Sequence, residues 1–351
     1  MSVTSSWERR VILWDEALSA VRRYFRETGL REVSTPVRID APAVEPYIEP
    51  LLAPPGGFLA TSPELAMKRL LCRGSGSIFQ ISHVFRRAEL GAHHSEEFHL
   101  VEWYRVGPGR YDQIQRDVEA VVAAVFELAG AARPRQWIRR DFFDLFEETT
   151  QIALRGDEEA GALIDALTRA GRPVARWLPQ TLRRRDEPGV TQEDELTRLL
   201  AWTELFTTWS DEHLPPWLAA LERAREIDGL HLDAFPEVLA ALSERERVDG
   251  RSIARRFESH VRGVELANGY RELRDPAEQR RRFERVNSLR EWHGQAALPL
   301  AEEFLEDLSD PGMPPCAGVA LGLDRLLMLA TGAQRLSDVS LALGVPGLEQ
   351  T

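Results

Sequence analysis

The run "FESHVRGVELANGYREL" places Glu258, Glu265, Asn268 and Glu272 in one strand-like stretch. Strands seldom bury a carboxylate without a partner. Either this face is a wet ladder of acids, or its polar groups hold something. A turn near Arg262–Gly263 folds Glu265 back towards Glu258. Two carboxylates brought together raise each other's pKa unless a cation lies between them. Magnesium is the natural cation, since it takes a few carboxylates plus phosphate oxygens.

Three other stretches offer chemistry. Ser62-Pro63-Glu64 opens a helix, where Ser62 can cap and Glu64 suits the dipole, or both can face a ligand. "FRRAELGAHHSEEFHLVEWYR" gathers Arg86, Glu89, Phe98, Glu102 and Tyr104 around the polar loop Arg87–Glu96. His93 and His94 lie beside acids, but adjacent strand residues face opposite ways, so a solvated loop is favoured over a metal site. In "GVALGLDR", Gly318 and Gly322 let another group approach the backbone. Arg325 opens a helix, where its charge opposes the dipole. A phosphate is one reason to put it there.

The elements that position these groups follow from capping and periodicity. A first amphipathic helix ends at Gly29, and Pro36 closes the strand-like "LREVSTPVRID". A short strand at Phe58–Ala60 precedes a helix begun by Ser62 and Pro63. "SIFQISHVFRR" and "EEFHLVEWYRV" read as strands, and a helix follows over Tyr111–Ala129. Residues 131–250 read as mostly helical, with breaks at Gly156, Pro179, Pro188 and Pro215–Pro216. Two strands then turn at Arg262–Gly263, an Arg-rich helix covers Pro276–His293, and "AGVALGLDRLLMLATG" is a strand followed by a helix. Local hairpins with flanking helices indicate an α+β fold with an antiparallel sheet.

The composition agrees with a globular chain: 351 residues, 43% hydrophobic and 28% charged. A net charge of −12 disfavours bulk nucleic-acid binding. Cys72 and Cys316 make neither a disulfide framework nor a zinc site, which fits buried thiols in a reducing cytoplasm. No run reaches the roughly 18 apolar residues of a membrane span.

Taken in order, "TSPELAMKRLL", "FRRAE", "EEF", "VEWYR", "VELANGYREL" and "GVALGLDRLLMLATGA" resemble the motifs of a class II aminoacyl-tRNA synthetase catalytic domain. Within that class the chain resembles the lysyl branch, and further the elongation factor P–(R)-β-lysine ligase family, which are truncated lysyl-synthetase paralogues. The resemblance runs from about residue 7 to 345 and is thinnest across 131–250. It implies a single catalytic domain over residues 1–351 with a divergent helical insertion at 131–250. Because the first helix starts near Met1, an OB-fold anticodon domain is not expected.

The resemblance also implies roles. Lysine or (R)-β-lysine would be activated with ATP and Mg2+ and passed to a lysine of elongation factor P. Arg86 would hold the α-phosphate and the substrate carboxylate. Phe98 would stack on adenine with Arg325 on its other face, near the γ-phosphate. Glu89, His94, Ser95, Leu266 and Gly322 complete the ATP site, and Glu258 and Glu265 carry magnesium. Ser62 and Glu64 meet the amino group near the reacting carboxylate. Glu102, Tyr104, Asn268 and Glu272 line the side-chain pocket, with Glu272 and Tyr104 nearest the distal ammonium. Ala320 stands where lysyl enzymes usually carry Gly. A homodimer through the first helix is implied, with Val11, Leu18, Val21 and Phe25 as its apolar stripe, although that stripe could face its own core. No tRNA and no membrane are expected as partners. Arg183–Arg185 and Arg280–Arg282 are the basic patches that could act locally.

Two departures stand out. The family's usual His-Asn-Pro-Glu-Phe is here His94-Ser95-Glu96-Glu97-Phe98, and the motif acid Glu89 falls three residues after Arg86. Either Arg86 or Arg87 could therefore take the phosphate. The competing readings are a non-catalytic synthetase-like regulatory subunit and a stand-alone amino-acid ligase with another acceptor. The intact acid pair and Arg325 favour the enzyme.

Overall fold

The computed structural model describes residues 6–177, 195–224 and 228–341. Its strands are β1 (Arg31–Glu32), β2 (Arg38–Ile39), β3 (Phe58–Leu59), β4 (Ile78–Phe85), β5 (Glu97–Val106), β6 (Trp137–Asp141), β7 (Gly229–Asp233), β8 (Phe235–Pro236), β9 (Arg245–Val248), β10 (Arg251–Ala254), β11 (Arg256–Val261), β12 (Val264–Arg271) and β13 (Cys316–Gly322). Eight form one sheet in the order β1-β4-β5-β13-β12-β11-β7-β6. The pairings from β4 through β7 are antiparallel. Both edges, β1 with β4 and β6 with β7, are parallel. Local hairpins could not signal these edges, because parallel neighbours are joined by long crossovers rather than tight turns.

The helices α1 (Ser6–Glu27), α2 (Glu64–Cys72) and α3 (Tyr111–Leu128) come first. In α1, Trp14, Ala17, Val21 and Phe25 recur at helical spacing and are buried. They join α3 and the apolar sheet face of Phe79, Val101, Trp103 and Val319. This revises the expected dimer stripe: Val21 and Phe25 fill the chain's own core and Leu18 packs against it. Exposed apolar groups on α1 are instead Trp7, Val11 and Ile12.

The crossover from β6 to β7 carries α4 (Phe142–Thr150), α5 (Ala160–Arg169), α6 (Val174–Trp177), α7 (Glu195–Glu212) and α8 (Leu214–Ala224). Phe142, Phe146, Trp202 and Trp209 build its core. Within 131–250, β6 and β7 belong to the central sheet, and β8 and β9 form a small sheet with β10, which follows that stretch. The helical pattern there applies to the stretch from α4 to α8. Pro215 and Pro216 lie in the first turn of α8, where proline starts a helix instead of breaking one. Pro179, Pro188 and Arg183–Arg185 lie outside the described residues.

After the β11–β12 hairpin come α9 (Pro276–Trp292), α10 (Glu302–Asp307) and α11 (Leu323–Thr331). The hairpin turns at Arg262 (φ 50°) and Gly263 (φ 73°), the two positive φ values of the favoured two-residue turn. Asp275 caps α9 through the amides of Ala277 and Glu278. In the Arg280–Arg282 patch, Arg280 pairs with Glu302, and Arg281 and Arg282 pair with Glu278. Both cysteines are free and buried. Among the described residues no helix is long and apolar enough to cross a membrane.

Candidate active site

Strands β5, β13, β12 and β11 lie side by side, so residues in register share a face. One row across them is Glu102, Ala320, Asn268 and Glu258. The next is Tyr104, Gly318, Tyr270 and Arg256. Glu265 and Asn268 are three residues apart, which would put them on opposite faces of a regular strand. The ladder shifts between Ser259 and His260: Ser259 pairs with Ala267 and His260 with Glu265, leaving Leu266 as the extra residue. Such a bulge reverses the alternation. Leu266 turns into the core, while Glu265 and Asn268 both line the cleft.

That cleft has a volume of about 210 Å³. Ser62, Glu64, Arg86, Glu89, His94, Ser95, Phe98, Glu265, Leu266, Asn268, Ala320, Gly322 and Arg325 all border it. Arg86 leans on the Phe98 ring, 5.2 Å from its centroid, and pairs with Glu89 at 3.5 Å. Arg325 donates from Nε to the His93 carbonyl at 3.0 Å and from Nη1 to the Glu265 carbonyl at 3.1 Å. The guanidinium against the Phe98 ring is that of Arg86. Arg87 is exposed and ties the loop through its backbone amide to the Glu49 carbonyl at 2.7 Å. Glu96 accepts from the amide of Ala88 at 2.7 Å, and Ala88 has φ 61°. The acid that departs from the usual motif therefore braces the loop's left-handed turn. Burial, followed by the Arg325 charge, lowers the His94 pKa, keeping the imidazole neutral beside the cleft.

Glu258 and Glu265 act on one another electrostatically. Burial pushes Glu258 up, but Arg256, 2.6 Å away, and His260 outweigh it and hold the carboxyl below its ordinary range. Glu265 is raised by burial and then by Glu258, with Arg325 opposing. Asn268 Oδ1, in register with Glu258, is buried and finds no hydrogen-bond partner among the described residues. An all-oxygen donor set with an orphaned acceptor fits a hard divalent cation. Among the described residues no group of three or more His, Cys, Asp or Glu could hold a metal by itself. Phosphate oxygens would have to complete a magnesium shell.

Further along the same face lies a small pocket bordered by Glu64, Glu102, Tyr104, Asn268, Glu272 and Ala320. Ser62 donates to Glu102 Oε2 and Tyr104 to Glu102 Oε1, each at 2.6 Å. Ser62 also accepts from the Glu64 amide at 3.1 Å, so one hydroxyl both steadies the start of α2 and orients an acid. Burial and then the Glu64 charge push Glu102 up to about 8. Glu272 is pushed up to about 7 by burial, against the pull of Lys68.

Lys68 went unnoticed in the sequence. Its Nζ lies 2.6 Å from Glu64 Oε1 and 2.6 Å from Glu272 Oε2. Burial alone would lower its pKa, but Glu272 and Glu64 together raise it. Glu272 Oε1 remains buried without a hydrogen-bond partner among the described residues. The signal for Lys68 was its position one turn after Glu64 on a helix. Arg256, two residues before Glu258 on the same strand face, was missed as well, as was Glu45 at the cleft wall.

A family model described as tRNA synthetases class II (D, K and N) matches residues 2–342. The chain belongs to this family. The elongation factor P–(R)-β-lysine ligase of Yersinia enterocolitica serotype O:8 / biotype 1B is 33% identical over 357 residues, covering 97% of this chain and 98% of that protein. The ligase of the same name from Pectobacterium carotovorum subsp. carotovorum is 34% identical over 356 residues, with the same coverage. That from Edwardsiella ictaluri is 34% identical over 357 residues, again with the same coverage. The cleft bordered by Arg86 and Arg325 and the pocket bordered by Glu102 and Glu272 adjoin, sharing Glu64, Asn268, Tyr270 and Ala320.

Proposed function

We propose that this class II synthetase chain activates lysine or (R)-β-lysine as an adenylate, with ATP, and transfers it to a lysine of an elongation factor P-like acceptor. The observation that carries the reading is one cleft lined by Arg86, Glu265 and Arg325 that adjoins an acidic pocket of Glu64, Glu102 and Glu272. Arg86 neutralises the α-phosphate and the substrate carboxylate as the carboxylate attacks in line. Phe98 supports adenine, and Arg325 faces the terminal phosphates. Glu258 and Glu265 would hold magnesium, which supplies charge neutralisation on the phosphates when bound. Ser62 and Glu64 receive the amino group near the carboxylate. Glu102, Tyr104, Asn268 and Glu272 receive the far ammonium, with the free Oε1 of Glu272 as one acceptor.

The net charge of −12 supports a protein acceptor over tRNA, because phosphate contacts supply most sequence-independent affinity. Two free, buried cysteines suit the cytoplasm. Trp7, Val11 and Ile12, exposed on α1, are the apolar surface a homodimer would cover. We take the chain as a single catalytic domain.

The test is amino-acid-dependent pyrophosphate exchange with a panel of amino acids, followed by transfer of label to elongation factor P or to tRNA. Exchange with lysine or β-lysine and label on the protein support the reading. No exchange, or label on tRNA alone, overturns it.

A further inference from the structure

The small pocket beside the cleft contains more acid than base. Glu64, Glu102 and Glu272 contribute carboxylates, and Lys68 contributes the ammonium, 2.6 Å from two of them. Glu102 is 2% exposed, and Lys68 and Glu272 are 1% exposed. Burial holds Tyr104 and Tyr270 neutral, and pushes the Cys316 thiol beside Glu272 well up. Outside the pocket, Glu244 pairs with Arg271 and Arg274. Two carboxylates therefore exceed the internal cation. Burying unpaired charge is costly, so the excess must be met by protons or by cationic groups of a ligand.

We infer that Lys68 is a positioning and specificity-determining residue: by cancelling one of the pocket's three carboxylates, of which Glu102 and Glu272 are buried and Glu64 also borders the cleft, it sets the pocket for an amino acid bearing two ammonium groups. The inference rests on the proposed diamino-acid activation and adds the residue that fixes the charge count. Lys68 also joins α2 to the residue that follows β12, holding Glu64 and Glu272 at opposite sides of one ammonium. Without ligand the excess is met by protons, consistent with the raised Glu102 and Glu272. A ligand with two ammonium groups displaces those protons to solvent, and charge balances without any other ion. An amino acid with one ammonium leaves a carboxylate protonated and its hydrogen bond unmade.

The test uses Lys68→Met, which keeps the length and removes the charge. In lysine-dependent pyrophosphate exchange its KM should rise roughly 200-fold or more, the loss expected when a buried ion pair is broken, with a smaller change in kcat. The double variant K68M/E272Q restores an excess of two acids and should recover about tenfold of that loss. A double variant no better than K68M overturns the inference while leaving the diamino-acid reading standing. A wild-type chain with no exchange for any amino acid overturns both. Calorimetry of lysine binding to the wild-type chain, in two buffers of different ionisation heat at pH 7, keeps the test independent of variant folding. Net proton release is expected, and its absence overturns the inference.

Discussion

A methyl group at position 318 tests whether the shape of the ammonium pocket governs its chemistry. Gly318 lies in β13 between Tyr104 of β5 and Tyr270 of β12. A Cβ there would overlap the Tyr104 ring and stand 2.6 Å from Glu272 Oε1. Neither neighbour has room to yield. Tyr104 is 2% exposed with its hydroxyl tied to Glu102 at 2.6 Å, and Glu272 is held by Lys68 at 2.6 Å. Carbon contacts settle near 3.5–4.0 Å, so ring or strand has to shift by about 1 Å. Overpacking of this kind costs about 1–3 kcal/mol of stability. A displacement of about 1 Å at a reacting site costs on the order of 100-fold. Gly318→Ala should therefore fold, lose about 1–3 kcal/mol in urea melts, and lose roughly 100-fold in kcat/KM for lysine-dependent pyrophosphate exchange. If kcat/KM stays within about threefold of wild type, less than 1 kcal/mol of barrier, the spacing of Tyr104 and Glu272 does not govern the site.

Other expectations are smaller in scope. Gly161→Ala on α5, where a Cβ meets nothing within 4 Å, should gain up to about 1 kcal/mol in the same melts without changing exchange. Arg86→Ala should reduce exchange about 10²–10³-fold, as for other donors aimed at developing charge, whereas exposed Arg87→Ala should change it by no more than about threefold; equal losses would show that Arg86 is not the phosphate arginine. Lysine affinity should rise with pH and level off above about 8, because Glu102, pushed to about 8, and Glu272, pushed to about 7, bind ammonium only when ionised. In the ligand-free chain the sign is opposite: an acid raised on folding stabilises fully below its unfolded pKa and loses that contribution as pH climbs through the raised value. A pH-independent lysine affinity between 6 and 9 would contradict both raised acids. Asp117→Asn should cost about 3–5 kcal/mol in denaturant unfolding, since buried Asp117 accepts from Arg105 at 2.5 and 2.8 Å, from Trp103 at 3.1 Å and from Tyr24 at 2.7 Å.

The groups written in local pattern were legible. Glycine after arginine marked the β11–β12 turn, and the acids on either side of it were read as facing one another. The Gly-punctuated β13 and the arginine opening α11 were found because each conflicts with a bland element. What escaped depends on long-range pairing. The parallel edge β6–β7 is closed by a helical crossover that carries no turn signal. Lys68 escaped because a lysine in an amphipathic helix ordinarily faces water; only Glu272, just past the end of β12, makes it a core residue. The α1 stripe leaves dimer surface and own core both open in the sequence, because periodicity reports that a helix has an apolar face, not which partner covers it.

The bulge at Leu266 links these readings. With strict alternation, placing Asn268, Tyr270 and Glu272 on the site face would send Glu265 into the apolar core among Phe257, Val261 and Ala267. One extra residue reverses this: Leu266 takes the core position, and Glu265 lines the cleft on the face that carries Asn268. From Asn268 to Glu272 the strand then rises about 13 Å with regular alternation, long enough for an unbranched side chain between hydrogen-bonded ends. For the proposed activation, irregular and regular backbone would then serve different tasks. The first would bring Glu265 and Glu258 together for a cation and phosphates to separate, and the second would space Asn268, Tyr270 and Glu272 evenly along a long amino acid.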